Sequence, residues 1–193
     1  MSDKKELEWR GILFEAGAIV FAVLLALWVE DWWAEIERQE RADLHLERIR
    51  AEIADNRDSL RSVIEQHQTY ITGLEAALED GDISLQRIGQ FLQAEGGAVS
   101  EAAWRSAQLS QSVSKMPFET MSDLSGLYDT QAYYTSYVNS FFQRYVDLIA
   151  DIERGDGGAI PVHNFTRHLE ITNGLATQLM GGYDEFLGDT AEE

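Results

Sequence analysis

The stretch GILFEAGAIVFAVLLALWV, residues 11–29, is a continuous apolar run in which Glu15 is the single charged residue. A hydrocarbon layer about 30 Å thick needs roughly 20 apolar residues in helical conformation. A helix in the core of a soluble domain would normally show a polar stripe, which this run lacks. The sequence therefore predicts a transmembrane helix over residues 11–33.

The helix is predicted to continue well beyond the membrane, because no Gly or Pro occurs from Ala18 to Thr72. Residues compatible with a core recur at alternating steps of three and four, as in a helix that buries one seam against another helix. This spacing leaves open whether the second helix belongs to the same chain or to another copy. The seam consists of Leu46, Ile49, Ile53, Asn56, Leu60, Val63 and His67, and it continues to Tyr70, Leu74 and Ala77.

Two positions of this seam are polar. Asn56 can fix the register or the oligomeric state of packed helices, or it can be solvated or hydrogen-bonded within the chain. His67 is expected to be a satisfied core histidine, and the alternative is a pH sensor, since histidine changes charge near neutrality.

The rest of the chain also reads as helices separated by glycines, with no sustained strand alternation. We predict an all-α fold in which the transmembrane helix continues into a long helix packed with several shorter helices as a hairpin or bundle. The expected helices span residues 84–94, 101–110, 117–126, 129–154 and 161–180. The expected regions are a cytoplasmic N-terminus (1–10), the transmembrane helix (11–33), an acidic helical domain (34–180) and a flexible acidic tail (181–193).

Charges at the two ends of the apolar run predict its orientation. Lys4, Lys5 and Arg10 precede the run, whereas Glu30 and Asp31 follow it. Cytoplasmic flanks are enriched in Lys and Arg, so we expect a single-pass protein of the bacterial inner membrane with its bulk in the periplasm. A cleaved signal peptide is disfavoured, because the run exceeds 7–15 residues and no small-residue cleavage site follows it. Interfacial anchors are expected at Trp9, Trp28, Trp32 and Trp33.

One face of the predicted anchor carries small residues at steps of three and four. Small residues at this spacing let transmembrane helices approach closely, although alanine is also common in apolar helices. The carboxylate of Glu15 lies on that face. It needs a partner, a water-filled cavity or protonation, unless it sits at the headgroup boundary. The face consists of Gly11, Glu15, Ala18, Ala22 and Ala26.

The spacing Glu15, Ala22, Ala26-Leu27 and Trp32 resembles an uncharacterised bacterial family of short single-pass membrane proteins. Members begin with a pattern close to G-E-I-x5-G-I-L-I-A-L-x4-W, followed by a charged helix. The resemblance covers residues 14–60, and this chain has Phe14 and Ala22 where the pattern has glycine. It implies a fold plan and a membrane location, and no activity.

The formal net charge of the chain is −19. Residues 30–193 hold 30 acidic and 12 basic residues, a net charge of −18. Such a domain repels phosphate backbones and anionic headgroups, so nucleic-acid binding and lipid docking by the domain are disfavoured. Binding of cations or of a basic partner is the permitted alternative, and the acidic residues can also simply keep the domain soluble. The absence of cysteine excludes disulfides and thiolate metal sites in this sequence.

Patterns that carry known chemistry are missing from the sequence. His163 and His168 are five residues apart, which does not match the i, i+4 spacing of helical metal sites. We therefore expect no catalytic residue, cofactor or metal, and a non-enzymatic protein that acts by association, as a homo-oligomer or as an accessory subunit of a larger membrane complex. The alternatives are a component of an ion- or proton-conducting assembly that uses Glu15 and, third, a periplasmic binding domain or hydrolase.

Overall fold

The computed structural model describes residues 3–93, 95–155 and 158–189, and within these ranges it describes side chains from Gly17 to Gly188. All regular structure in these ranges is helical, which confirms the all-α class. The elements are α1 (Asp3–Asp80), α2 (Leu85–Ile88), a 3-10 turn (Gly89–Phe91), α3 (Ala102–Leu109), a 3-10 turn (Ser112–Lys115), α4 (Phe118–Arg154) and α5 (Ile160–Asp189).

The seam of α1 is buried inside the chain. Ile49, Ile53 and Leu60 are fully buried, and the other positions from Asn56 to Ala77 are at most 9% exposed, while Leu46 is partly buried. The helix α5 packs along α1, and α3 and the two 3-10 turns cover further parts of it. The partner that the heptad spacing predicts is therefore the chain's own set of helices.

The two long helices after α1 run in opposite directions. Tyr128 of α4 bonds Glu52, and Tyr145 bonds Leu92 near the far end of the bundle, so α4 is parallel to α1. Asn173 of α5 bonds Ile64, and Tyr183 bonds Gln131, so α5 returns antiparallel. Because α5 packs against both α1 and α4, it holds the bundle together.

The predicted break between residues 126 and 129 is wrong, because α4 is continuous from Phe118 to Arg154. A glycine within a helix costs about 1 kcal/mol relative to alanine. At Gly126 this cost is outweighed by the burial of Leu124, Leu127 and Tyr128, which all face the core. The predicted end of the helix at Gly155 is confirmed, and Gly155 has the left-handed φ of 68° that a helix C-terminus favours.

The predicted end of the last helix at residue 180 is also wrong. The helix α5 continues through Gly181 and Gly182 to Asp189, so residues 181–189 are not a flexible tail. Tyr183 is fully buried and Phe186 is 8% exposed, and both extend the three-and-four spacing of the preceding core positions. A Cβ atom on Gly182 would lie 3.0 Å from Leu127 Cδ1, so a small residue suits this close approach of α4 and α5.

The helix predicted over residues 84–94 is shorter than expected. Only Leu85–Ile88 is α-helical, and a 3-10 turn follows to Phe91. Ile88 and Leu92 are buried, and the Phe91 ring lies directly over Gly73 of α1. Tertiary contacts therefore end this helix before its local sequence would.

The gap between α1 and α4 is filled by an irregular segment, residues 92–93 and 95–101, which we call the strap. Tyrosines of the two neighbouring helices hold it along its length. Tyr145 donates to the Leu92 carbonyl at 2.6 Å, Tyr70 donates to the Gln93 side chain at 3.0 Å, and Tyr134 donates to the Gly96 carbonyl. Because these bonds satisfy backbone and side-chain groups, a segment without secondary structure can lie between helices.

We predict that Gly96→Ala destabilises the fold, because an added Cβ would overlap the γ-methyl groups of buried Val138. Overpacking of this kind typically costs about 1–3 kcal/mol. The matched control is Gly126→Ala, where no atom lies within 4 Å of the new Cβ, and which we expect to stabilise by about 0.5–1 kcal/mol.

Urea denaturation of the full chain in mild detergent, followed by circular dichroism, measures both effects. Gly96→Ala combined with Val138→Ala should recover part of the loss, because the second change removes the overlapping methyl groups. A Gly96→Ala variant as stable as the wild type would contradict the packing of the strap against α4.

Candidate functional site

The apolar segment at the start of α1 is exposed along its whole described length. An 18-residue window of α1 has a mean hydropathy of 1.6, and none of it is buried, so this helix is long and apolar enough to cross a membrane. Phe21 is 66% exposed and Leu24 is 59% exposed, like their neighbours. No described part of the chain covers these side chains.

Three of the four expected interfacial tryptophans have described side chains, and these are free of the bundle. Trp28, Trp32 and Trp33 are 54–65% exposed, and the rings of Trp28 and Trp32 stack with centroids 5.9 Å apart. Trp9 lies in the helical backbone of α1, but its side chain is outside the described residues. The described tryptophans form an aromatic group at the end of the apolar segment nearest the bundle.

The small-residue face turns away from the bundle. At about 100° per residue, Ala18, Ala22 and Ala26 lie roughly opposite the buried positions Ile49 and Leu60. The same outward face continues along α1 as exposed residues, namely Glu40, Leu44, Glu47, Ala51 and Asp58. Gly11 and Glu15 fall on this face of the helical backbone, and their side chains lie outside the described residues. The bundle therefore leaves this side of α1 open.

The bundle begins directly beyond the tryptophans, without a linker. Lys115 in the Ser112–Lys115 turn donates to the Glu35 carboxylate at 2.5 Å, and Ala42 is the first buried residue among the described side chains of α1. This hydrogen bond, followed by the charges of Lys115 and Arg38, lowers the pKa of Glu35 below its usual value. The exposed apolar segment and the buried seam are thus parts of one continuous helix.

Asn56, the first polar seam residue, is 2% exposed and binds the strap. Its side chain accepts from the Ser100 amide at 2.7 Å and donates to the Ser100 carbonyl at 2.8 Å. Gln131 of α4 donates to the same carbonyl at 2.9 Å and accepts from Tyr183 of α5 at 2.6 Å. Asn56 is therefore bonded within the chain and joins α1, the strap, α4 and α5.

Glu52, one turn before Asn56, extends this network to α3. Its carboxylate accepts from the Ser100 hydroxyl at 2.7 Å, the Ala103 amide at 2.9 Å and the Tyr128 hydroxyl at 2.8 Å. Burial and then the bond to Glu52 raise the pKa of Tyr128, which keeps its hydroxyl protonated as a donor. Sequence reasoning missed Glu52, Gln131 and Tyr183, because single polar residues in helices carry no pattern. The one signal in the sequence is the i, i+4 spacing of Glu52 and Asn56, which places both residues on the same face of α1.

His67, the second polar seam residue, is 1% exposed in the middle of the bundle. Asn173 donates to the Ile64 carbonyl at 3.3 Å, so its carbonyl oxygen faces His67 Nδ1 at 3.0 Å, and Nδ1 carries the proton. Burial lowers the pKa of His67, and the opposing effects of Glu95 and Asn173 are smaller. The residue is a buried, neutral histidine at neutral pH.

We predict that stability falls with decreasing pH in the range below about 6.5. The unfolded chain takes up a proton near the ordinary histidine pKa of about 6.5, whereas folded His67 resists protonation, so acid favours the unfolded state. One such group contributes at most about 1.4 kcal/mol per pH unit. Denaturation of the full chain across this range, compared with His67→Gln, measures the slope.

His168 of α5 contributes in the same direction, because burial and then the charge of Arg144 lower its pKa. The His67→Gln variant should therefore flatten the pH profile in part, and the double variant with His168→Gln should flatten it further. An unchanged slope in His67→Gln would contradict the role of this burial.

Among the described residues, no group of three or more His, Asp or Glu side chains could hold a metal ion. His168 instead bonds the Tyr137 hydroxyl at 3.0 Å and packs beside Phe141. No family model, curated protein or solved structure matches the chain. The exposed apolar segment of α1 is therefore the feature of the described chain from which a function can be inferred.

Proposed function

We propose that this chain is a single-pass membrane protein that acts by association, as a homo-oligomer or as an accessory subunit of a larger membrane complex. The observation that carries the proposal is the exposure of the apolar segment from Ile19 to Val29, where every large side chain is 38–66% exposed. Contiguous apolar surface of this extent marks an interaction or membrane site. A bilayer fits it, because the segment has the length and composition of a membrane span.

A soluble core helix is the alternative use of such a segment. It would need to be covered by other elements of the domain, and among the described side chains of α1 those from Gly17 to Trp33 are all exposed, so α2–α5 do not cover them. The belt formed by Trp28, Trp32 and Trp33 lies where a membrane–water interface would be. Lys4, Lys5 and Arg10 on the opposite side favour a cytoplasmic N-terminus, with the bundle in the periplasm of a bacterial cell.

The seam does not remain available for a partner, because α5 fills it. Association is therefore assigned to the opposite side of α1, where Ala18, Ala22 and Ala26 permit close helix packing in the membrane. On this side Ala18, Ala22 and Ala26, and farther along Glu40, Leu44, Glu47, Ala51 and Asp58, are exposed. A second transmembrane helix can reach it without displacing any part of the domain.

We predict that the expressed chain stays with the membrane fraction after alkaline carbonate extraction. The variant Leu24→Arg/Leu25→Arg should be released, because each charge near the membrane centre costs about 2.5–3.5 kcal/mol for insertion. Immunoblotting of pellet and supernatant measures the distribution. Recovery of the wild-type chain in the supernatant would contradict a membrane anchor.

We predict that Ala22→Leu weakens association, because a larger side chain separates the helix backbones. The expected effect is about tenfold or more in the dissociation constant, or about 1.4 kcal/mol. The control is Val20→Leu, which enlarges an exposed apolar residue on the opposite side of the helix. The mass of the natively extracted particle, compared with the 21.8 kDa chain, reports association.

The control variant should retain the wild-type mass. A wild-type protein recovered as a lone monomer, with no change in either variant, would rule out association through this face.

A further inference from the structure

A groove lies between α1 and α4, and the strap forms its floor. Its volume is about 710 Å³, which is within the range of about 300–1,000 Å³ that ligand pockets occupy. Among the described residues that line the groove, Glu95 of the strap is the one that carries a charge. The hydroxyl and amide side chains on its two walls are Ser59, Ser62, Gln66, Thr135 and Asn139. The groove is therefore a largely uncharged surface on a chain with a net charge of −19.

The strap crosses the floor of this groove in a nearly extended form. The Gln93 side chain accepts from Tyr70, and the Ser100 amide donates to Asn56. Tyr70 and Asn56 are fourteen residues apart on α1, or about 21 Å. The chain thus covers about 21 Å between Gln93 and Ser100, roughly 3 Å per residue, which is close to the 3.3 Å of a β-strand. A bend occurs at Gly97, whose φ of 69° favours glycine.

The middle of the strap has main-chain groups without partners. The N–H and C=O groups of Gly97, Ala98 and Val99 make no hydrogen bond to any other described residue, whereas both groups of Ser100 are bonded. All three residues line the groove, and none of them is buried. An extended segment with unpaired N–H and C=O groups is a template for pairing with another chain.

We propose that this groove binds an extended polypeptide segment of a partner protein, whose main chain pairs with Gly97–Val99. In this mode of recognition the main-chain hydrogen bonds supply affinity and the neighbouring side chains supply specificity. The wall from Ser59 to Gln66 is about 10 Å long, which is the length of about three extended residues. The inference goes beyond association in the membrane, because the groove is part of the bundle and does not require the anchor.

The charges of the chain select the kind of segment. Residues 130–143 of α4 contain no charged residue, and the ring of Phe142 beside the groove is 42% exposed. Glu95 and the negative charge of the whole chain repel an acidic segment. The structure therefore favours an uncharged or basic segment, with small polar or β-branched side chains that fit between the two helices.

The test uses the full chain in mild detergent, with a fluorophore attached at its amino terminus. The probe is a bead library of heptapeptides made from Gly, Ser, Thr, Val, Asn, Gln and Lys. A matched library is N-methylated at every amide, which removes the main-chain donors and keeps the side chains. A third library contains Glu in place of Lys. The number of fluorescent beads, minus that for beads without peptide, reports binding.

Two matched variants locate the bound peptide. Thr135→Tyr places a large side chain in the groove, whereas Ser136→Tyr places the same side chain on the neighbouring exposed position of α4 outside it. Ser62→Tyr, on the facing wall, blocks the groove independently of α4. Circular dichroism and thermal unfolding of each variant show whether the fold is retained.

We expect the bead count to fall about tenfold in Thr135→Tyr and in Ser62→Tyr, equivalent to about 1.4 kcal/mol, and to stay unchanged in Ser136→Tyr. The N-methylated and Glu-containing libraries should bind the wild type several-fold less than the first library. Equal binding to the N-methylated library would overturn the pairing with the strap. Undiminished binding by both groove variants, or no binding by the wild type, would overturn the groove as a peptide site.

Discussion

One unbroken helix is the constraint on which the rest of the structure depends. The part of α1 from Ala18 to Trp33 exposes apolar side chains on all sides, whereas the part beyond Ala42 buries a single seam. No glycine or proline interrupts the helix between Ala18 and Thr72, so rotation and tilt of the first part are transmitted to the second. The bundle is thereby fixed to one side of α1, and the small-residue face is left on the other.

In this arrangement α1 and α4 are separated by a space that other parts of the chain must fill. The helix α5 lies between α1 and α4 on one side, and the strap fills the space between them on the other. Asn56 presents both an acceptor and a donor to Ser100, which satisfies the backbone of an irregular segment at the point where it is most enclosed. An unpaired buried polar group costs about 1–3 kcal/mol, so the complete pairing of this network favours one arrangement of the helices.

Periodicity made α1 predictable, and its absence made the strap unpredictable. The seam from Leu46 to Ala77 follows a heptad spacing that is visible in the sequence. Low helix propensity at Gly126 and at Gly181-Gly182 predicts helix ends that the structure does not have, because the apolar spacing on both sides continues and its burial outweighs the cost of the glycines. Composition alone predicts the apolar segment. Its orientation relative to the bundle depends instead on the angular position of each residue along the whole of α1, at about 100° per residue. Glu52, Gln131 and Tyr183 meet only in three dimensions.

The outward side of α1 constrains how a partner can approach. Beyond the apolar segment it carries Glu40, Glu47 and Asp58, all exposed. Two parallel copies that met through Ala22 and stayed in contact would bring these like charges together, which is unfavourable. Helices that pack through small residues often cross at about −40°, so two copies would diverge before these residues meet. A different partner that followed α1 along its length would need basic residues at the matching heights.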